Sequence, residues 1–163
     1  MSEFEKEEKV KTALEKKFGS AVSNAEVRRR NRVWADLETA KLPEVMAWLK
    51  AEGFNHLATV TGFDEGEDFG AYYHVTDTHI IVNLKVKTPR ANPVIPSVLA
   101  SFPGAVSYEK ELEDMFGIKV DGLPPGRRYP LDEDFPKDEY PLRKDWKVED
   151  YIAKNPLFKP EDK

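Results

Sequence analysis

The sequence predicts an α+β fold. Residues 1–120 should form a two-layer domain, a mostly antiparallel sheet with helices on one face, and residues 121–163 a long, extended, Pro-rich C-terminal tail. Three observations predict it. Ile80, Val82, Leu84 and Val86 alternate strictly with Ile81, Asn83, Lys85 and Lys87, the period of a strand with one buried face. Val10, Leu14 and Phe18, and then Leu42, Val45, Met46 and Leu49, recur at helical spacing. Seven of the 12 prolines fall after residue 120, where they remove backbone donors and disfavour helix in the residue before each.

In chain order, residues 4–18 read as an amphipathic helix with Gly19 as its stop. Residues 21–29 and 32–38 read as a hairpin turning at Arg29–Asn31; Val33, Ala35 and Leu37 mark the buried side of its second strand. The second helix has Pro43 in its first turn and Gly53 at its end. Leu57–Thr61 is a short strand and Gly62–Gly70 an acidic, Gly-rich loop. Residues 71–75 and 79–87 then form a hairpin around Thr76–Thr78. Beyond it Pro89, Pro93 and Pro96 interrupt any strand, and Ser97–Ser101 reads as a short helix. Tyr108–Phe116 is helical, with Ser107 as N-cap, Gly117 as stop, and Tyr108, Leu112, Met115 and Phe116 as its apolar face. The tail carries Leu123, Tyr129, Leu131, Phe135, Tyr140, Leu142, Trp146, Tyr151, Ile152, Leu157 and Phe158. A segment too Pro-rich to satisfy its own backbone, yet rich in apolar anchors, reads as one that lies on a partner surface.

Composition narrows the function. With 163 residues and 40% hydrophobic content the chain can build one core, which excludes complete disorder. A net charge of -5 argues against nucleic acid as the main partner. There is no cysteine, so disulfides, iron–sulfur ligation, a thiol nucleophile and Cys-based zinc sites are excluded for this chain. No apolar run approaches the roughly 20 residues of a bilayer span. Met1–Lys17 holds five Lys and five Glu and no apolar core, unlike a signal peptide. The expectation is a cytoplasmic protein that other chains hold at any membrane it serves.

No nucleophile–base–acid set is visible. His56, His74 and His79 lack the spacing of a metal site, and Gly62, Gly66 and Gly70 lie among acids that would repel phosphate. Arg28, Arg29, Arg30 and Arg32 form the basic cluster of the chain; a solvated hairpin turn outweighs RNA or lipid contact there. Glu109, Glu111, Glu113 and Asp114 cluster on the last helix. Glu109 and Glu111 lie in the first turn, where the macrodipole favours anions. Asp114 lies near the end and should meet a cation; Arg127, Arg128, Arg143 and Lys144 are the candidates. Arg143 and Lys144 themselves, set beside apolar anchors, read as interface cations. Two other readings stay open: a free-standing α+β binding protein, reaching nucleic acid through Arg28–Arg32, and a small enzyme using the acidic cluster.

The stretch Tyr108-Glu109-Lys110-Glu111-Leu112-Glu113-Asp114-Met115-Phe116-Gly117-Ile118 resembles the signature of the 30 kDa subunit family of respiratory complex I, the NADH dehydrogenase. In register with it come Pro93-Val94-Ile95-Pro96-Ser97-Val98 upstream and Gly122-Leu123-Pro124 with Arg127-Arg128 downstream. Asp132-Glu133-Asp134-Phe135 and Tyr140-Pro141-Leu142-Arg143-Lys144-Asp145 follow. Lys110 stands where the family has Arg, and Glu113 where an aromatic residue is common. Gly122-Leu123-Pro124 replaces the Gly-His-Pro of quinone-linked members, and Asp138-Glu139-Tyr140 brings the tail closer to the branch found in membrane-bound nickel-iron hydrogenases. The resemblance implies a subunit with no cofactor and no catalytic or metal-binding residue of its own, in the cytoplasmic arm of an ion-pumping oxidoreductase complex. It implies packing on the large catalytic subunit, with neighbouring iron–sulfur subunits holding clusters, the nickel-iron site in the large subunit, and membrane contact through other subunits. The motif residues that it points to as interface are Glu109, Glu111, Asp114, Met115, Phe116, Gly117, Arg127, Arg128, Tyr140, Pro141, Leu142, Arg143 and Lys144.

Overall fold

The computed structural model describes residues 4–155; Leu157 and Phe158 of the expected anchor set lie outside the described residues. The chain runs α1 (Glu5–Phe18), β1 (Val22–Arg29), β2 (Arg32–Leu37), α2 (Leu42–Ala51), β3 (His56–Asp64), β4 (Asp68–Thr76), β5 (Ile81–Pro89), β6 (Val94–Pro96), α3 (Val106–Phe116), β7 (Lys119–Asp121) and α4 (Val148–Lys154). Five strands form one sheet in the order β1-β2-β5-β4-β3. All neighbours are antiparallel except β2 and β5, because α2 and the β3–β4 hairpin intervene and return the chain in the same direction. The mixed α+β architecture is the one that the strand and helix periods predict.

The alternation decides the layers. Val33, Ala35 and Leu37 of β2, Val82, Leu84 and Val86 of β5, and Ala71, Tyr73 and Val75 of β4 are buried in one cluster with Leu14 of α1, Leu42, Val45, Met46 and Leu49 of α2, and Leu112 and Phe116 of α3. The period-two rows thus carry one face of the sheet against the apolar stripes of the helices. Glu7 of α1 is also buried and accepts the Asn31 amide at 2.6 Å, tying the helix to the β1–β2 turn. Tyr73 is fully buried, and its hydroxyl has no hydrogen-bond partner among the described residues. Tyr73→Phe removes a desolvated donor at nearly constant shape, so it should leave stability unchanged or raise it by up to about 1 kcal/mol. A urea titration that shows a loss of more than this would reveal a partner for the hydroxyl.

Several local expectations are corrected. Gly62–Gly70 is not a loop: β3 extends to Asp64, β4 starts at Asp68, and only Glu65–Glu67 turn. The glycines are packing positions. A Cβ on Gly62 would lie 2.5 Å from the Phe116 ring, and one on Gly70 would run into the Val86 carbonyl. Pro96 ends a short strand, since β6 pairs in parallel with β7. Ser97–Ser101 is not helical; it makes turns, with the Ser101 and Phe102 amides both on the Val98 carbonyl. Ser107 is not the N-cap of α3, because a 3-10 turn at Pro103–Ala105 starts the helix early, at Val106. Asn83 points to the open face as expected, yet it is buried. Its amide donates to the Val33 carbonyl, and its Oδ1 meets His74 Nδ1 at 2.7 Å. The tail is not extended throughout: after Pro141 no proline occurs before residue 156, and α4 forms there with Glu149 and Asp150 in its first turn and Lys154 in its last.

Candidate partner interface

α3 is the element on which the motif residues converge. Gly117 ends it in a left-handed conformation, φ 69°, which a glycine adopts without strain. That position also lacks room for a side chain: a Cβ would lie 2.5 Å from Arg143 Nη2 and 2.7 Å from the Tyr140 ring. The last carbonyls of a helix have no partner within it. Here residues 140–146, a strap, supply them. The Leu142 amide donates to the Met115 carbonyl at 3.1 Å, and Arg143 Nε donates to the Phe116 carbonyl at 2.7 Å. The Arg143 guanidinium lies 4.0 Å from the Tyr140 ring centroid and 4.8 Å from that of Phe69. A cation on the C-terminal end of a helix complements its dipole. The segments Asp114–Ile118 and Tyr140–Asp145, far apart in sequence, are therefore one structural unit.

A second anchor lies in the β3–β4 hairpin. Asp64 is buried, and its carboxylate accepts the Gly66 amide at 2.8 Å, the Lys144 amide at 2.9 Å and Arg90 Nη1 at 3.0 Å. Arg90 also holds Asp145 at 2.7 Å and lies over Phe69 at 4.5 Å. Burial raises the Asp64 pKa, but the two amides and the guanidinium overcome it and hold the carboxyl below its ordinary range. Sequence reasoning missed Asp64 and Arg90, because it placed Asp64 in a loop.

Asp114 meets a cation as expected, and the partner is Arg128: Nε donates to Oδ1 at 3.2 Å, while Oδ2 accepts the Leu131 amide at 3.2 Å. Arg128 also donates to the Phe135 carbonyl at 2.5 Å. Arg127 is nearly fully exposed, with Glu133 at 3.6 Å. Glu109 is fully buried and receives the Ser97 hydroxyl and the Val98 amide, both at 2.7 Å. Burial, and more weakly the nearby Glu113 charge, push its pKa up against those two donors. Neither Glu109 nor Glu111 is brought to Arg143 or Lys144; Glu111 is half-buried on α3 and the Lys144 side chain is exposed. Beyond the strap, Trp146 Nε1 donates to Glu139 at 2.7 Å, and Phe135 stacks on Tyr151 at 5.2 Å.

Of the basic cluster, Arg28 pairs with Glu26 at 2.6 Å and covers the Trp34 ring at 4.8 Å, and Arg32 donates to the Asn31 carbonyl at 3.1 Å, while Arg29 and Arg30 are exposed. Among the described residues no group of three or more His, Cys, Asp or Glu could hold a metal ion, and no helix is long and apolar enough to cross a membrane.

Residues 35–152 match the family model described as the respiratory-chain NADH dehydrogenase 30 Kd subunit. The chain belongs to that family. The 30 Kd family model spans β2 to α4 and so takes in α3, the strap and the Asp64 hairpin. Among curated relatives, the chain is 33% identical over 139 residues to a subunit of the F(420)H(2) dehydrogenase of Methanosarcina mazei, covering 82% of this chain and 87% of that one. It is 30% identical to the membrane-bound hydrogenase subunit beta of Pyrococcus furiosus, over 77% of each chain. A chain of the membrane-bound sulfane sulfur reductase, an archaeal respiratory membrane complex, superposes with a TM-score of 0.81 over 97% of this chain and 96% of its own. At 21% identity that likeness shows the fold. Members of the 30 Kd family are thus subunits of oxidoreductase complexes.

Proposed function

We propose that the chain is a cofactor-free structural and assembly subunit in the cytoplasmic arm of a membrane-bound, ion-pumping oxidoreductase, of hydrogenase or complex I type. On this reading it packs on the large catalytic subunit, through which the complex's nickel-iron or quinone chemistry runs, and beside iron–sulfur subunits. The membrane is reached through other chains. The names of the relatives support an oxidoreductase complex, and the absence of cysteine supports placing the clusters elsewhere.

One observation carries the docking. Of the four large apolar side chains exposed among the described residues, the three most exposed, Tyr129 (52%), Leu142 (47%) and Val148 (47%), lie in the C-terminal segment, and the fourth, Val106 (39%), begins α3. The same segment is hydrogen-bonded to the domain, so these groups are held outward rather than left loose. Residues 121–163 on this reading are the docking segment; the family-motif residues from Asp114 to Lys144 either touch the partner or hold the segment that does, while Glu109 braces the Ser97–Val98 turn inside the domain. The test is affinity purification of the tagged chain from native membranes. The large subunit should co-purify, and Leu142→Asp should reduce its recovery about tenfold or more, the loss of one buried anchor. Because Leu142 is half exposed in the free chain, its melt should stay unchanged. Full recovery with Leu142→Asp would remove this surface from the interface.

A further inference from the structure

We infer that Asp64 is the positioning residue of the docking segment, fixing the strap on the domain before any partner arrives. The inference rests on the docking reading above, and it adds where the docking shape comes from. Asp64 and Lys144 are 80 positions apart, and their contact is a backbone amide on a carboxylate. That contact holds the chain path itself, whichever side chain residue 144 carries.

The geometry is that of a clasp with two sides. On the hairpin side, Asp64 Oδ1 accepts the Gly66 amide, which closes the β3–β4 turn, where Gly66 has φ 90°. On the strap side, Oδ2 accepts the Lys144 amide. Arg90 spans both oxygens with one nitrogen, at 3.1 and 3.0 Å, and reaches Asp145 of the strap with the other. The Phe69 ring meets both guanidinium groups, Arg90 at 4.5 Å and Arg143 at 4.8 Å from its centroid. The Asp64 side chain is almost wholly buried, whereas that of Asp145 is mostly exposed. Hydrogen bonds to an ionised, desolvated acceptor are the strong ones, so Asp64 dominates and Asp145 adds to it. A segment already held in its bound shape spends less conformational entropy on association. Leu142, two residues before the anchored amide, is therefore presented at a fixed place.

The experiment is hydrogen exchange by mass spectrometry on the full chain, wild type against Asp64→Asn, with recovery of the large subunit measured in parallel for Asp64→Asn and Leu142→Asp. Asparagine keeps one oxygen for the Gly66 amide and loses the second acceptor. Exchange at residues 140–146 should accelerate about tenfold or more, with β4 and β5 unchanged, and recovery should fall. Unchanged exchange across 140–146 overturns the inference and leaves the docking reading standing. So does faster exchange with full recovery for Asp64→Asn while Leu142→Asp loses the large subunit. Full recovery for both variants overturns the docking reading and this inference with it. If Asp64→Asn also exposes β4 and β5, Lys144→Pro carries the same test, because it removes the amide that Asp64 holds and leaves the hairpin carboxylate in place. Exchange over the rest of 140–146 equal to wild type would then count against the inference.

Discussion

Glu109→Ala is expected to lower stability by about 3–5 kcal/mol, a fall of about 10 °C or more in Tm, read by thermal melt of the free chain. Glu109 is fully buried on α3, and its two oxygens receive the Ser97 hydroxyl and the Val98 amide. Alanine leaves the amide without an acceptor in a site closed to water and opens a cavity beside it. Glu109→Gln keeps one oxygen for the Val98 amide, and the Ser97 hydroxyl can turn to accept from the new NH2. Its cost at neutral pH should be within about 1 kcal/mol. The two variants differ further in pH dependence. The Glu109 pKa is raised above its ordinary 4.5, by burial first. Between that value and the raised one the folded state binds more protons than the unfolded state, so stability falls as pH rises through the window. Asp64 acts in the opposite sense: its carboxyl is held low, so its contribution is complete above the ordinary carboxylate range and is lost as pH falls through its folded value. Glu109→Gln should remove the decline on the alkaline side and leave the acid limb, to which Asp64 contributes, in place. A Glu109→Ala melt within a degree or two of wild type would show that the Ser97–Val98 connection does not depend on this carboxylate.

The sheet was legible because its side chains alternate: Val33, Ala35 and Leu37, then Val82, Leu84 and Val86, can be buried together only as strands with one face inward. The helices were legible for the same kind of reason, and α3 even stops at the expected glycine. The misreadings share one cause. Gly62 and Gly70 look like loop residues, but each is needed where a neighbour comes too close for a Cβ, and sequence does not show the neighbour. Ser97–Ser101 has helical residues, yet Glu109 takes the Ser97 hydroxyl and the Val98 amide, contacts across 12 and 11 positions that local propensity cannot weigh. α4 was hidden by the prolines around it. The site was half legible. The motif residues mark the right places, but what joins them runs through main-chain groups: the Met115 and Phe116 carbonyls and the Leu142 and Lys144 amides. Every residue type carries the carbonyl and every one but proline the amide, so no side-chain pattern announces the join. Asp64 and Arg90, which complete it, were not singled out at all.

Arg143→Glu is expected to detach the strap while the domain stays folded. The substitution removes the charge-assisted bond to the Phe116 carbonyl and the stacking on Tyr140 and Phe69, and it sets a carboxylate against the end of α3. Together these cost on the order of 3–4 kcal/mol. The loss to the whole domain is capped, however. Once the strap opens, the rest of the sheet no longer senses residue 143, and further penalty does not accumulate. Thermal melts should therefore fall by only a few degrees, whereas amides 140–146 should lose their protection and recovery of the large subunit should drop more than for Leu142→Asp. Lys144→Glu separates the two roles that the sequence assigned jointly to these cations. The Lys144 ammonium is exposed and only its amide is engaged, so the melt and the exchange pattern should match wild type. If the ammonium meets a carboxylate of the large subunit, Lys144→Glu weakens recovery by itself, because reversing one charge leaves the partner's charge unpaired at the interface. Arg143→Lys keeps a cation but not the planar group that bonds and stacks at once, and should fall between wild type and Arg143→Glu in strap protection. Wild-type exchange across 140–146 in Arg143→Glu would mean that the strap is held without this residue, by Asp64 and Arg90 alone.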